Sequence, residues 1–217
     1  MNDLSIVSIN VRTPQAFTYG EKTLLSAIDK KPVHGKIYLS TLNLDGDQQA
    51  DLHFHGGPDK AVCVYSHDHY SFWESVLDTK LEVGAFGENL TVTGITEEEV
   101  WIGDVYELGE AIVQVTQPRQ PCFKLATKLK QPKLPLMVQH TGYTGFYFRV
   151  LKEGTISSED SLKLLERNPK NVSISYANKL KYKDKTNLDG IKKMLSLKEL
   201  SKDWTETFTN RLKELET

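Results

Sequence analysis

Of the two cysteines in this 217-residue chain, one stands where a thiol could do chemistry. Cys122 closes the run Pro118-Arg119-Gln120-Pro121-Cys122. A strand ending at Pro118 would deliver the loop, and its two prolines lower the entropic cost of holding a side chain in place. The Arg119 guanidinium favours a thiolate over a thiol. A thiolate is either a nucleophile or a soft-metal ligand. Cys63 lies instead inside the apolar run Ala61–Tyr65 and reads as a small buried hydrophobe, the commoner fate of a lone cysteine. Neither cysteine belongs to a C-x-x-C pair, so the chain carries neither a disulfide framework nor a closed zinc-site pattern.

Three further segments hold chemistry-bearing residues. In Asp51-Leu52-His53-Phe54-His55-Gly56-Gly57-Pro58-Asp59-Lys60, the paired glycines let backbone N–H groups approach a ligand, and Lys60 beside them could complete an anion nest. A tight turn explains Gly56 and Gly57 alone equally well; His55 and Lys60 shift the balance towards binding. His53 and His55 could be a metal pair, although no third ligand is evident. In Gly84-Ala85-Phe86-Gly87-Glu88-Asn89-Leu90, Glu88 and Asn89 sit at the mouth of a strand. The Asn89 amide could read a heterocycle edge, but a loop in which it caps backbone is the simpler reading. The Gly-rich bend at 140–145 precedes the aromatic run Phe146-Tyr147-Phe148, which pocket lining and core packing explain equally well.

The elements that must position these groups are mostly strands up to about residue 165. Apolar–polar alternation predicts strands over 4–11, 36–44 (ending at the hairpin signal Asp45-Gly46), 61–65, 90–93 and 146–151, and a hairpin of 105–108 with 111–115 about Gly109-Glu110. One helix interrupts them, with Asp68 as its cap and Tyr70, Trp73 and Leu77 on one face. Many short strands with Gly and Pro punctuation predict a mainly β fold, a closed or nearly closed β-barrel. After Asn168-Pro169 the chain turns Lys- and Leu-rich. Helices are expected there near 172–182, 187–195 and 197–215, with Ser173, Asn187 and Ser196 as N-caps. Leu197, Leu200, Trp204, Phe208, Leu212 and Leu215 form an apolar stripe that needs a partner. The division expected is a barrel domain over 1–167 and a three-helix extension over 168–217. The stripe could dock on the barrel or on a second copy, which leaves a homodimer open.

A formal net charge of −2 gives no general attraction to nucleic acid or to anionic membranes. No apolar run is long enough to span a bilayer, and Met1-Asn2-Asp3-Leu4 lacks the pattern of a secretion signal, so a cytoplasmic location is expected.

Taken in order, Gly46-Asp47-Gln48-Gln49-Ala50-Asp51, His55-Gly56-Gly57, Asp59-Lys60-Ala61-Val62, Gly87-Glu88-Asn89-Leu90, Ile102-Gly103-Asp104 and Pro118-Arg119-Gln120-Pro121-Cys122 resemble the MOSC domain family, named after the C-terminal domain of molybdenum cofactor sulfurases. The helical tail resembles the extension of its YiiM-like subgroup. The resemblance implies a β-barrel that binds the molybdenum cofactor (molybdopterin), a pterin dithiolene with a terminal phosphate, with Cys122 as the molybdenum ligand and catalytic centre. It further implies an oxidoreductase that reduces N-hydroxylated bases with electrons from a flavin or iron–sulfur partner protein. His55, Gly56, Gly57, Lys60, Glu88, Asn89, Arg119 and Gln120 would hold the cofactor. The stretches Gly142-Tyr143-Thr144-Gly145 and 155–160 depart from the family pattern, and no contact is assigned there. Two other readings compete: a cofactor carrier or sensor without chemistry, and a Cys-dependent transferase or hydrolase without molybdenum, with His53, His55 or His140 as base.

Overall fold

The computed structural model describes residues 4–20, 22–50 and 56–216. Twelve strands run β1 Ser5–Val11, β2 Gln15–Tyr19, β3 Lys22–Ser26, β4 Lys31–Val33, β5 Ile37–Leu39, β6 Val62–Ser66, β7 Leu90–Thr93, β8 Val105–Leu108, β9 Ala111–Pro118, β10 Phe146–Lys152, β11 Gly154–Ile156 and β12 Leu162–Glu166. Six helices follow the same order: α1 Tyr70–Leu77, α2 Phe123–Lys128, α3 Leu134–Thr141, α4 Ile174–Tyr182, α5 Leu188–Leu195 and α6 Lys202–Glu216. Eight strands join in the order β12-β8-β9-β10-β6-β7-β1-β4, antiparallel throughout except for the parallel β6–β7 pair.

The barrel expected from the strand count is not a continuous one. No ladder joins the two ends of the sheet among the described residues. One bridge, Ser5 to Ser161, and one hydrogen bond from Leu162 N–H to Leu4 O at 3.1 Å bring the start of β12 to the start of β1. The molecule is a mainly β, sheet-rich fold that curls until its margins touch at a point.

Several expected elements take a different form. The strand foreseen over 36–44 stops at Leu39, because the Ser40 hydroxyl donates to Asn43 O (2.9 Å) and accepts from Asn43 N (3.1 Å). That local bonding offers the backbone an alternative to a ladder, and the turn returns Leu44 to bridge Leu39. Asp68 does not cap α1. Its carboxylate accepts from Thr93 Oγ1 (2.5 Å) and Gly94 N (3.0 Å), tying the helix entry to the end of β7, and His69 holds the N-cap position. Ser196 does not start the last helix either; it ends α5, and the segment 197–201 carries Leu197 and Leu200 into the core before α6 begins. Ser173 and Asn187 do cap, accepting from Tyr176 N (3.0 Å) and Gly190 N (2.8 Å).

The hydrophobic core runs without a break from the sheet, through Ile9, Val64, Val92, Val113, Phe146 and Phe148, to Val172, Ala177, Ile191, Met194, Trp204 and Phe208 of the helical tail. The apolar stripe of the tail is thus spent on the sheet of its own chain. A second cluster, with Tyr65, Trp73 and Phe86 at its centre, packs α1, α2 and α3 beside the sheet. Tyr65 and Phe86 stack there at 4.1 Å, and Trp73 Nε1 donates to Tyr65 OH at 2.6 Å.

Candidate functional site

A cleft of about 630 Å³, counting the solvent at its open mouth, lies beside the second of these clusters, to which its lining residues Ile28 and Cys122 belong. Lys60, Cys63, Asn89, Arg119, Gln120 and Cys122 line it, together with residues 26–28, Lys30, residues 48–50, Gly87, Lys124 and Tyr147. β9 delivers the reactive loop. Its last residue, Pro118, pairs with Phe146 of β10, and Arg119 N–H donates to Gly145 O at 3.0 Å, so the loop is anchored just before the guanidinium. Cys122 then sits half-buried at the N-cap of α2 and makes no capping hydrogen bond with its side chain.

Arg119 is the cation at the floor. Its side chain is buried, and Nη2 donates to Phe86 O at 2.5 Å, while Nη1 is buried with no partner among the described residues. Burial alone would pull its pKa down, but Cys63, Tyr147, Cys122 and Glu88 around it outweigh that and push the pKa above the usual value. It is therefore a fixed positive charge facing both cysteines. Cys63 is buried as expected of a small apolar residue, yet it also lines the cleft. Burial pushes its thiol up to about 11, against the opposing pull of Arg119. Tyr147, hydrogen-bonded to it, is likewise raised by burial and stays a phenol.

Asn89 is brought to the site, and both it and the neighbouring Glu88 are already committed to the protein. The Asn89 amide accepts from Cys63 N (3.0 Å) and donates to Asp47 Oδ2 (2.9 Å) and Asn10 O (3.2 Å). It locks β6, β7 and the 44–47 turn behind the cleft wall, as the simpler sequence reading has it. Glu88 is not among the lining residues. Its Oε1 accepts from Tyr70 OH (2.6 Å), Thr91 Oγ1 (2.9 Å) and Gly84 N (3.1 Å), and Oε2 is buried without a partner among the described residues. Gly56 and Gly57 are not lining residues either. Gly57, at φ +92°, opens the 3₁₀ turn of Pro58–Lys60, and the Lys60 N–H closes it on Gly57 O at 3.0 Å. Lys60 is buried and ion-paired with Asp203 of α6. His53 and His55 lie outside the described residues. His140 does not line the cleft; its carbonyl accepts from Lys183 Nζ at 3.0 Å.

The lining residues that the sequence did not single out are Lys30, Lys124, Tyr147 and the 26–28 segment. Lys30 pairs with Asp47, whose other oxygen holds Asn89. Tyr147 carries a readable signal, since it alternates with Phe146 and Phe148 of the core and must face the other side of β10. Lys30 and residues 26–28 carry none, because they reach the cleft only through the β2–β3 hairpin.

Comparison with known proteins shows the family and the fold. The model of the MOSC domain matches residues 51–163. The YflK protein of Bacillus subtilis is 51% identical over 207 residues, covering 95% of this chain and 94% of its own. The crystal structure of YiiM from Geobacillus stearothermophilus superposes with a TM-score of 0.83 at 41% identity, covering 96% of this chain and 99% of that one. A protein of Gibberella moniliformis named a reductase is 41% identical over 148 residues, which is 66% of this chain and 26% of that protein. The chain belongs to the MOSC domain family. Within it, residues 172–214 match the YiiM-like 3-alpha helix domain, so the helical tail belongs to the same pattern.

Proposed function

We propose that the cleft holds the molybdenum cofactor, with the Cys122 thiolate as protein ligand to the metal, and that the protein uses it to reduce N-hydroxylated bases or related small compounds. The observation that carries this reading is the pairing of a half-buried thiol with an obligatory cation whose Nη1 is buried and has no partner among the described residues. A buried guanidinium donor without an acceptor is costly. An anionic, sulfur- and phosphate-bearing pterin satisfies it, and the same ligand meets Lys30, Lys60 and Lys124 on the cleft wall. A soft thiolate suits molybdenum already held by dithiolene sulfurs. When bound, the cofactor supplies two-electron oxygen-atom transfer chemistry. The N–OH group leaves as amine and water, consuming two electrons and two protons.

The chain's own residues bind and orient. Cys122 anchors the metal, and Arg119 fixes the ligand's negative charge on the cleft floor. Asn89 and Glu88 act as positioning residues, one through Asp47 and Cys63 N, the other through the 84–91 loop. Tyr147 keeps its proton and stands at the cleft as a donor. Electrons come from a flavin or iron–sulfur partner protein, since two cysteines cannot hold a cluster of this chain's own. The division at residue 167/168 is in this reading one of sequence pattern, because the core crosses it.

The test is metal analysis of protein made without oxygen in a cofactor-competent host, followed by turnover of an N-hydroxylated purine with a chemical reductant. Near-stoichiometric molybdenum in the parent and a loss of at least tenfold in Cys122→Ser, with Tm unchanged, is the expected result. Metal retained by a folded Cys122→Ser protein, or activity in it, would sink the assignment. Bound metal with no turnover would select the carrier reading.

A further inference from the structure

The buried pair of Glu97 and His69 lies outside the cleft lining, yet it is tied to the loop that carries the thiol. Glu97 stands in the turn after β7, and His69 holds the N-cap of α1. Glu97 Oε2 meets His69 Nε2 at 2.6 Å, and Oε1 accepts from Gly145 N–H at 2.7 Å. The His69 ring is itself held, stacked on Tyr143 with centroids 3.8 Å apart and planes 8° from parallel. Two donors converge on Gly145 O: Arg119 N–H at 3.0 Å and Thr144 Oγ1 at 2.8 Å. Thr144 Oγ1 accepts in turn from Asn178 Nδ2 of α4 at 2.9 Å. Glu97 O accepts from Ser175 N, in the first turn of α4, at 2.8 Å. A single carboxylate thus stands one peptide away from the backbone of the reactive loop, fixed by α1 and α4.

We propose that Glu97, braced by His69, is a positioning residue for the reactive loop: its carboxylate fixes Gly145, and the Gly145 carbonyl fixes Arg119 and with it the approach to Cys122. Cohesion alone does not call for a carboxylate here. Burying one is costly, and a buried ion pair is weak evidence for stability. A glutamine of the same length would offer Gly145 an oxygen and His69 an N–H. The carboxylate adds strength, because a hydrogen bond to an anion is roughly twice as strong as a neutral one and polarises the peptide that donates it. The polarised Gly145 carbonyl is then the better acceptor for Arg119 N–H. The inference rests on Arg119 and Cys122 being the working groups of the cleft, but it needs no molybdenum.

The test uses the metal-free full chain. Hydrogen exchange at the Arg119 amide reports the clamp, and the rate of Cys122 alkylation by iodoacetate over that by iodoacetamide reports the guanidinium. The two reagents are close in size, so access and thiolate content cancel and the ratio measures the positive potential at the thiol. Arg119→Met sets the floor of that ratio. In Glu97→Ala, exchange at Arg119 should quicken about tenfold or more relative to Val113 in β9, and the ratio should fall about threefold or more towards the floor. Glu97→Gln keeps both hydrogen bonds at lower strength and should lie between the parent and Glu97→Ala on both measures. If Glu97→Ala does not fold, Glu97→Asp takes its place; it keeps the charge but is one methylene short of spanning His69 and Gly145, and should lower the ratio likewise. A merely structural Glu97 predicts that exchange rises equally across the sheet and that the ratio stays at the parent's value. That result in folded Glu97→Ala or Glu97→Asp overturns the proposal, as does a Glu97→Gln protein that behaves like Glu97→Ala. Neither measure depends on bound metal, so a parent without molybdenum would strike the cofactor assignment and leave this one standing.

Discussion

Two thiols share one cleft and should behave as different chemicals. Cys122 is half-buried in the 119–122 loop, whereas burial raises Cys63 to about 11. With a disulfide reagent at pH 8, one thiol per chain should react in seconds to minutes and the second only on unfolding. Cys122→Ser should remove the fast phase; a fast phase surviving in that variant would reverse the assignment. Lys128 permits a signed pH test. Burial lowers its pKa to about 8, while its Nζ donates to Gly84 O (2.6 Å) and Ile28 O (3.1 Å). The unfolded chain holds that proton up to the ordinary lysine range, about 10.4. Between pH 8 and 10.4 the unfolded state therefore binds more protons, and stability contributed by this group rises with pH. Relative to Lys128→Met, the parent should gain on the order of 1–2 kcal/mol across that window in urea melts, after allowance for residual exposure. A flat difference would show that the amine is well solvated. At this scale Cys122 and Arg119 were legible because prolines and a guanidinium around a thiol have few other uses. Cys63 was legible only by half: an apolar run announces burial but not which side of it faces a cavity.

Elements explain what residues leave obscure. The hairpin of β8 and β9 was readable because Gly109 meets its turn requirement directly, at φ +57°. The hairpin of β2 and β3 was not. Its residues are almost all exposed or half-exposed, so no alternation of apolar and polar residues marks it. α2 and α3 escaped too, being short and burying only Leu125, Leu134 and Val138. The link before β10 is a sensitive point of the frame. Gly145 has φ +71°, and an added Cβ would meet Val64 O at 2.3 Å. Its N–H donates to Glu97 Oε1 at 2.7 Å, and its carbonyl holds Arg119 N–H. Gly145→Ala should cost roughly 2–4 kcal/mol, since it combines a left-handed dihedral that L side chains rarely adopt with a backbone clash. It should also lower the molybdenum content of protein made in a cofactor-competent host, through displaced Arg119. A Tm within 2 °C or so of the parent would mean that the backbone relaxes freely here.

The molecule as a whole has more of one piece than its sequence pattern suggests. Two family patterns abut near residue 168, yet Trp204 and Phe208 of the tail are fully buried in the same core as Val64 and Phe148 of the sheet. Phe208→Ala should therefore lose about 3–5 kcal/mol and lower a single cooperative transition, seen identically by sheet and helix signals. Two separated transitions would show independent domains. Whether the closed or nearly closed barrel actually closes was not legible, because counting strands cannot say whether the last one reaches the first. The shared core has a consequence for how the chain is made. The apolar side of the sheet is complete once residue 166 has been synthesised, but the helices that cover it are encoded after that point. During synthesis the ribosome thus carries a nascent sheet with an uncovered oily surface. A stop codon introduced before α4 should yield a product found with chaperones and in the insoluble fraction.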